Sequence, residues 1–212
     1  MLLTSRVLHY NHLYPSSSAL SHPVDRAYQI VLISSTLVAS WLGMQGVHEL
    51  GHVIGAWVTG AQVNQVVLNP LTISRTDIGH NPHPLLVVWA GPLLGVLLPV
   101  FAWAIAVASH RPLAYLLRFF AGFCLIANGA YIGGGSLSGA GDCGEMLRHG
   151  AVIWPLWLFG AVCVPTGLML WNHQGRHFGM GDSKGAVDPR AAVFMLGVCI
   201  LLVAFALLVG GE

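Results

Sequence analysis

The chain of 212 residues is 55% hydrophobic and only 8% charged, and its mean hydropathy is +0.71. These values lie outside the usual range of soluble globular proteins and indicate a membrane protein. A formal charge of +1 without a basic cluster excludes the electrostatic footprint of a nucleic-acid-binding protein, and four scattered cysteines predict no disulfide framework.

The chain divides where its first apolar stretch begins. Residues 1–26 are polar and lack the apolar core of a signal peptide, so we expect a leader that stays attached. Residues 27–212 are predicted to form a single transmembrane domain with an all-α polytopic fold of about five transmembrane helices. The five apolar stretches that are long enough to cross a bilayer are 27–61, 84–109, 119–141, 151–171 and 191–210.

The first of these stretches contains the motif His48-Glu49-Leu50-Gly51-His52. Residues four apart lie on one face of a helix, so His48 and His52 can bind one Zn²⁺, with Glu49 beside a water molecule at the metal. Ionisable residues inside a membrane are costly, which favours a metal site over a chance match. The motif therefore predicts metal-assisted hydrolysis inside a membrane.

The segment after the first span indicates a short membrane-associated β-hairpin. Within residues 62–76, β-branched residues partly alternate with polar residues on both sides of Asn69-Pro70. Residues 77–84 are polar and are expected to form a loop before the second span.

A catalytic zinc needs a third protein ligand and an open fourth position. Val58 occupies the position of the third histidine of metzincins, which excludes that class. The glycine-rich run 133–141 at the end of the third span is predicted not to hold a regular helix, and Asp142 and Glu145 follow it. Because alternating spans bring Asp142 to the same membrane face as the motif, Asp142 is the first choice of ligand and Glu145 is the alternative.

These features together resemble the site-2 protease-like intramembrane zinc metalloproteases. The resemblance is carried by the HExxH helix, the hairpin, Gly91-Pro92 in the second span, and Asn128 followed by Asp142. It covers a core of about residues 27–149 and leaves out the last two spans. Asn128 and Asp142 lie farther apart than is usual in the family and are separated by glycines rather than prolines.

The resemblance implies an intramembrane zinc endopeptidase with one catalytic Zn²⁺. Its implied metal ligands are His48, His52 and Asp142, with Glu49 as general base and Asn128 as a donor to the oxyanion. The implied substrate is a transmembrane protein segment in the lipid bilayer, which must unwind before attack, and the hairpin edge at residues 63–68 is a candidate clamp for it.

Three other functions fit parts of this pattern. A CAAX-type membrane zinc protease would use Glu145 as its third ligand, a metal transporter would need polar groups on several spans, and a non-catalytic relative would only bind membrane segments. The sequence assigns neither the oligomeric state nor the membrane orientation. The positive-inside rule places the amino terminus in the cytoplasm and the metal site towards the non-cytoplasmic membrane face, whereas the resemblance implies a metal site nearer the cytosol.

Overall fold

The structure, a computed structural model, describes residues 23–210. Within this range the chain forms a helical bundle with one small sheet. The α-helices are α1 (Pro23–Thr59), α2 (Pro84–Ala108), α3 (Ala114–Gly135), α4 (Gly141–Arg148), α5 (Trp154–Trp171) and α6 (Pro189–Val209). Strands β1 (Val63–Val67) and β2 (Arg75–Ile78) lie between α1 and α2, and two short 3-10 turns, Gly175–Phe178 and Gly181–Ser183, lie between α5 and α6.

Five of the helices, α1, α2, α3, α5 and α6, are long and apolar enough to cross a membrane. Many of their large apolar side chains point outward, as lipid-facing residues do. The predicted all-α polytopic fold is therefore confirmed, and the protein is a multi-pass membrane protein. The leader predicted for residues 1–26 falls mostly outside the described residues, but α1 already begins at Pro23.

Small residues allow the helices to pack closely. On α1, Gly51 and Gly55 face Ala90 and its neighbours on α2, while Gly133 of α3 meets Gly160 of α5. On the other side of α1, α6 packs through Ala191, Ala192 and Met195. Helices α1, α2 and α3 thus form the centre of the bundle, with α5 supporting α3.

The predicted β-hairpin is present. Strands β1 and β2 are antiparallel, with Val67 opposite Arg75, and a register irregularity lies between Val63 and Gln65. The Asn69 side chain accepts hydrogen bonds from the backbone N–H groups of Leu71 and Thr72 and so closes the turn. The hairpin is attached to α1, because the Gln45 Oε1 atom accepts a 2.6 Å hydrogen bond from the Ser74 N–H.

The prediction for the glycine-rich run 133–141 was partly wrong. Helix α3 continues through Gly135, and a turn leads directly into α4, so that Asp142 lies on a short helix rather than on an unwound segment. The physical reason is tertiary packing: a Cβ atom at Gly133 would lie only 3.0 Å from the Gly160 Cα atom. Gly133 and Gly160 thus serve contact between α3 and α5, which overrides the weak intrinsic helix propensity of glycine.

Helix α1 is unbroken over its 37 residues, so the number of spans follows the prediction. Successive spans cross the membrane in opposite directions. The ends of α1 and α3 and the α4 segment therefore lie on one membrane face, called here the site face, and the start of α1 lies on the opposite face. Of the described basic residues, Arg75 and Arg148 belong to the site face, and the opposite face has Arg26, Arg111, Arg118, Arg176, Lys184 and Arg190.

Candidate metal centre

The two histidines of the HExxH motif lie side by side on α1, as predicted. Both are buried, and their Nε2 atoms are 3.0 Å apart. One turn of helix separates them, which brings the rings to an edge-to-face arrangement with centroids 4.8 Å apart.

The structure brings Asp142 to these histidines. Its Oδ2 atom lies 2.8 Å from Nε2 of His48 and 3.3 Å from Nε2 of His52. Glu145, the alternative ligand in the sequence, instead forms an ion pair with Arg148, and its side chain is 45% exposed. The buried group of His48, His52 and Asp142 can hold a metal ion.

The outer nitrogens of the two imidazoles support this interpretation. Nδ1 of His52 lies 2.9 Å from the Val87 carbonyl oxygen, and Nδ1 of His48 lies 2.6 Å from Oδ1 of Asn128. Both partners are acceptors, so each Nδ1 carries the proton and each Nε2 presents a lone pair. Two lone pairs and a carboxylate then converge on one point, an arrangement that can hold a cation. An N–H donated outward by each histidine is typical of metal ligands.

The spacing of the three ligand atoms also fits a small ion. Tetrahedral zinc with bonds of about 2.0–2.2 Å needs ligand atoms roughly 3.3–3.6 Å apart. The three observed separations are 2.8, 3.0 and 3.3 Å. An outward movement of a few tenths of an ångström therefore suffices to accommodate the ion.

The backbone conformation at Gly141 and a hydrogen bond to Tyr131 hold Asp142 in place. Gly141 has a φ of +58°, and a side chain there would overlap the Tyr131 hydroxyl group, which accepts a 3.1 Å hydrogen bond from the Asp142 N–H. Burial raises the pKa of Asp142, but its hydrogen bonds and charge interactions with the His48 and His52 side chains outweigh burial, so the net pKa lies below its ordinary value. The carboxylate is therefore ionised and ready to bind a cation.

Glu49 is buried beside the ligands and is held by the hairpin. Its side chain is 5% exposed, and its Oε2 atom accepts a 2.7 Å hydrogen bond from the Thr76 hydroxyl group of β2. Glu49 lines the same cavity as the three candidate ligands. The arrangement combines a cation site with an adjacent carboxylate that can accept a proton.

Asn128 lies against His48 rather than in open space. It is 1% exposed, its Nδ2 atom donates a 2.9 Å hydrogen bond to the Cys124 carbonyl, and its Oδ1 atom faces His48. The structure thus brings all five predicted site residues together. The role of Asn128 as an oxyanion donor remains a prediction.

Two cavities meet at Glu49. One, of about 980 Å³, is lined by the three candidate ligands, the hairpin, α2 and α3. The other, of about 810 Å³, is almost wholly apolar and lies between α1, α3 and α6. Gln45, Glu49 and Ser74 line both cavities, so the candidate acid–base residue sits where a polar chamber joins an apolar one.

Several contributors to the site were not identified from the sequence. Thr76 belongs to the predicted hairpin, but nothing in the sequence indicates that its hydroxyl reaches Glu49. Tyr131 follows Asn128 by one helical turn, and this spacing is the only sequence signal that it faces the same site. The Val87 carbonyl carries no sequence signal.

Comparisons with protein-family models, with curated proteins and with solved structures give no match for this chain.

Proposed function

We propose that the protein is an intramembrane zinc endopeptidase of the site-2 protease-like kind, which hydrolyses peptide bonds of transmembrane protein substrates. The observation that carries this proposal is the convergence of His48, His52 and Asp142 beside Glu49. Two neutral imidazoles and one carboxylate form a donor set that suits zinc, and three protein ligands leave a position open, as in catalytic zinc sites.

In this proposal the metal site, Glu49 and Thr76 have separate roles in peptide hydrolysis. A bound zinc ion supplies Lewis acidity, which lowers the pKa of a water molecule to about 7 and polarises the peptide carbonyl. Glu49 accepts the proton of the attacking water and returns it to the leaving amine. The Thr76 hydroxyl holds the Glu49 carboxylate in position through its hydrogen bond.

A transmembrane segment is the substrate that fits the surroundings of Glu49. The apolar cavity between α1, α3 and α6 suits hydrophobic side chains, and the polar cavity at the metal centre suits an unwound backbone. Val66 of β1 and Leu68, the residue after this strand, also line the apolar cavity, so the hairpin borders the proposed substrate site. An extended peptide can pair with such a strand.

The test compares wild-type protein with Glu49→Gln, a substitution that nearly preserves side-chain shape and removes the proton acceptor. Each purified protein is incubated with a detergent-solubilised membrane-protein fraction, and new peptide N-termini are identified by mass spectrometry. We expect new termini inside apolar segments with the wild type, and their absence with Glu49→Gln or after chelation. If the wild type binds zinc but yields no zinc-dependent termini, the peptidase proposal is wrong.

A CAAX-type protease is less consistent with these positions, because Glu145 pairs with Arg148 at the surface. Its test is zinc retention in Glu145→Ala.

A metal transporter would move zinc into proteoliposomes, which a radioactive zinc uptake assay measures directly. Uptake that survives Glu49→Gln would favour transport over hydrolysis.

A further inference from the structure

The Asn128 amide has a defined orientation inside the bundle. Its Nδ2 atom donates to the Cys124 carbonyl, 2.9 Å away and one turn earlier in α3. A carbonyl oxygen accepts and does not donate, so Nδ2 must be the atom on that side, and the opposite atom, Oδ1, faces α1. Oδ1 then accepts a short hydrogen bond of 2.6 Å from the Nδ1–H group of His48.

This hydrogen bond fixes both the tautomer and the rotation of the His48 ring. With the proton held on Nδ1, the lone pair of Nε2 points to His52 and Asp142. The Tyr131 ring packs edge-on against the His48 ring, with centroids 5.9 Å apart, and limits its rotation from another side. The side of the Asn128 amide nearest the metal centre is its acceptor, which cannot stabilise a negatively charged oxygen.

Helix α2 leaves space for this amide at Gly95. A Cβ atom on Gly95 would lie 2.9 Å from Oδ1 and 3.0 Å from Nδ2 of Asn128, which is closer than ordinary van der Waals contact. Any side chain at this position would therefore push the amide away from His48. Because residue 95 is glycine, α2 can lie directly against the buried Asn128 amide.

We infer that Asn128 is a positioning residue that orients His48 for metal binding, and that Gly95 provides the space for it. The inference rests on the proposed zinc function but assigns Asn128 a different task from that of an oxyanion donor. Outer partners of metal-binding histidines typically contribute 10- to 100-fold to metal affinity. The expected defect is therefore in zinc binding itself and not only in turnover.

The test measures the zinc dissociation constant of the purified protein by competition with a chromophoric chelator. Asn128→Leu preserves size and removes the acceptor, and we expect its dissociation constant to rise about 10- to 100-fold. Asn128→Asp keeps an acceptor for Nδ1–H and should retain zinc. Gly95→Ala leaves Asn128 in the chain but displaces it, so it should weaken zinc binding in the same direction as Asn128→Leu.

A matched control separates this role from general packing. Thr36 is buried in α1, lies outside both cavities, and can be replaced by isosteric valine. Thr36→Val should bind zinc like the wild type. The absorption spectrum of the cobalt-substituted protein adds a second readout, because it reports ligand geometry: Asn128→Leu should change it and Thr36→Val should not.

The possible outcomes are distinct. Wild-type zinc affinity and an unchanged cobalt spectrum in both Asn128→Leu and Gly95→Ala would overturn the inference while leaving the proposed function intact. An equal loss in Thr36→Val would also overturn it, because the effect would then be general destabilisation. A wild-type protein that binds neither metal would instead remove the proposed function, and the inference with it.

Discussion

Replacement of Gly91 by alanine tests how closely α2 must approach the metal centre. Gly91 of α2 faces the His52 ring, and a Cβ atom there would lie 2.9 Å from Cδ2 and still closer to Cε1 and Nε2. Nε2 is the atom that faces the proposed ion. The single added methyl group is therefore directed at a candidate ligand atom.

The size of the effect follows from these contacts. Non-bonded heavy atoms need a separation of about 3.5 Å or more, so the closest of these contacts require the ring or the helix to move by roughly 1 Å. Productive metal sites tolerate deviations of about 0.2 Å. We therefore expect Gly91→Ala to lower zinc affinity by about 100-fold or more, and overpacking to lower the free energy of unfolding by about 1–3 kcal/mol.

Zinc content and chelator competition of the purified variant measure the effect, and a thermal melt in the same detergent measures stability. Gly46→Ala is the matched control, because it makes the same chemical change in α1, and a Cβ atom there has nothing within 4 Å. The control should keep its zinc and gain about 0.5–1 kcal/mol of stability. Full zinc affinity in Gly91→Ala would refute the proposed geometry of His52.

Three further predictions concern the proposed base Glu49, the proposed ligand Asp142 and the membrane orientation. Thr76→Val should keep its zinc but cleave substrate at least about 10-fold more slowly, because Glu49 loses a charge-assisted hydrogen bond, while Thr76→Ser should stay active; equal rates would contradict this role. The pKa of Asp142 is about 4 in the unfolded chain and lower in the folded protein. Ionised Asp142 therefore stabilises the folded protein above about pH 4, and this stabilisation is lost as the pH falls towards the pKa of the folded protein. Asp142→Asn should accordingly reduce the Tm of the chelator-treated protein at pH 6, and the difference should shrink below about pH 4; a pH-independent difference would be inconsistent with this carboxylate. Because most basic residues lie opposite the site face, an impermeant maleimide should label His80→Cys, just before α2, in intact cells and Ser109→Cys only after permeabilisation; the reverse pattern would place the site face in the cytoplasm.

The sequence was sufficient to predict the parts of the fold that depend on local pattern. The lengths of the apolar stretches predicted the five spans, and the spacing of His48 and His52 predicted two imidazoles on one helical face. Alternation of spans also predicted that Asp142 lies near the HExxH motif, although nothing local to Asp142 specifies its contact with His48, 94 residues earlier.

The remaining features depend on contacts between distant elements. Glycine propensity predicted a break at residues 133–141, but packing of Gly133 against Gly160 keeps α3 helical to Gly135. The Val87 carbonyl and the Thr76 hydroxyl reach His52 and Glu49 only because α2 and the hairpin fold back onto α1. Their roles depend on the tertiary arrangement, which a single sequence does not specify.

The zinc content of the purified protein, determined for the wild type, His52→Ala, Asp142→Ala and Glu145→Ala, tests the central claim most directly. We predict one zinc ion per chain in the wild type and in Glu145→Ala, and loss of zinc in the other two variants. Full zinc in Asp142→Ala, or a wild-type protein that binds none, would contradict a metal centre built from His48, His52 and Asp142.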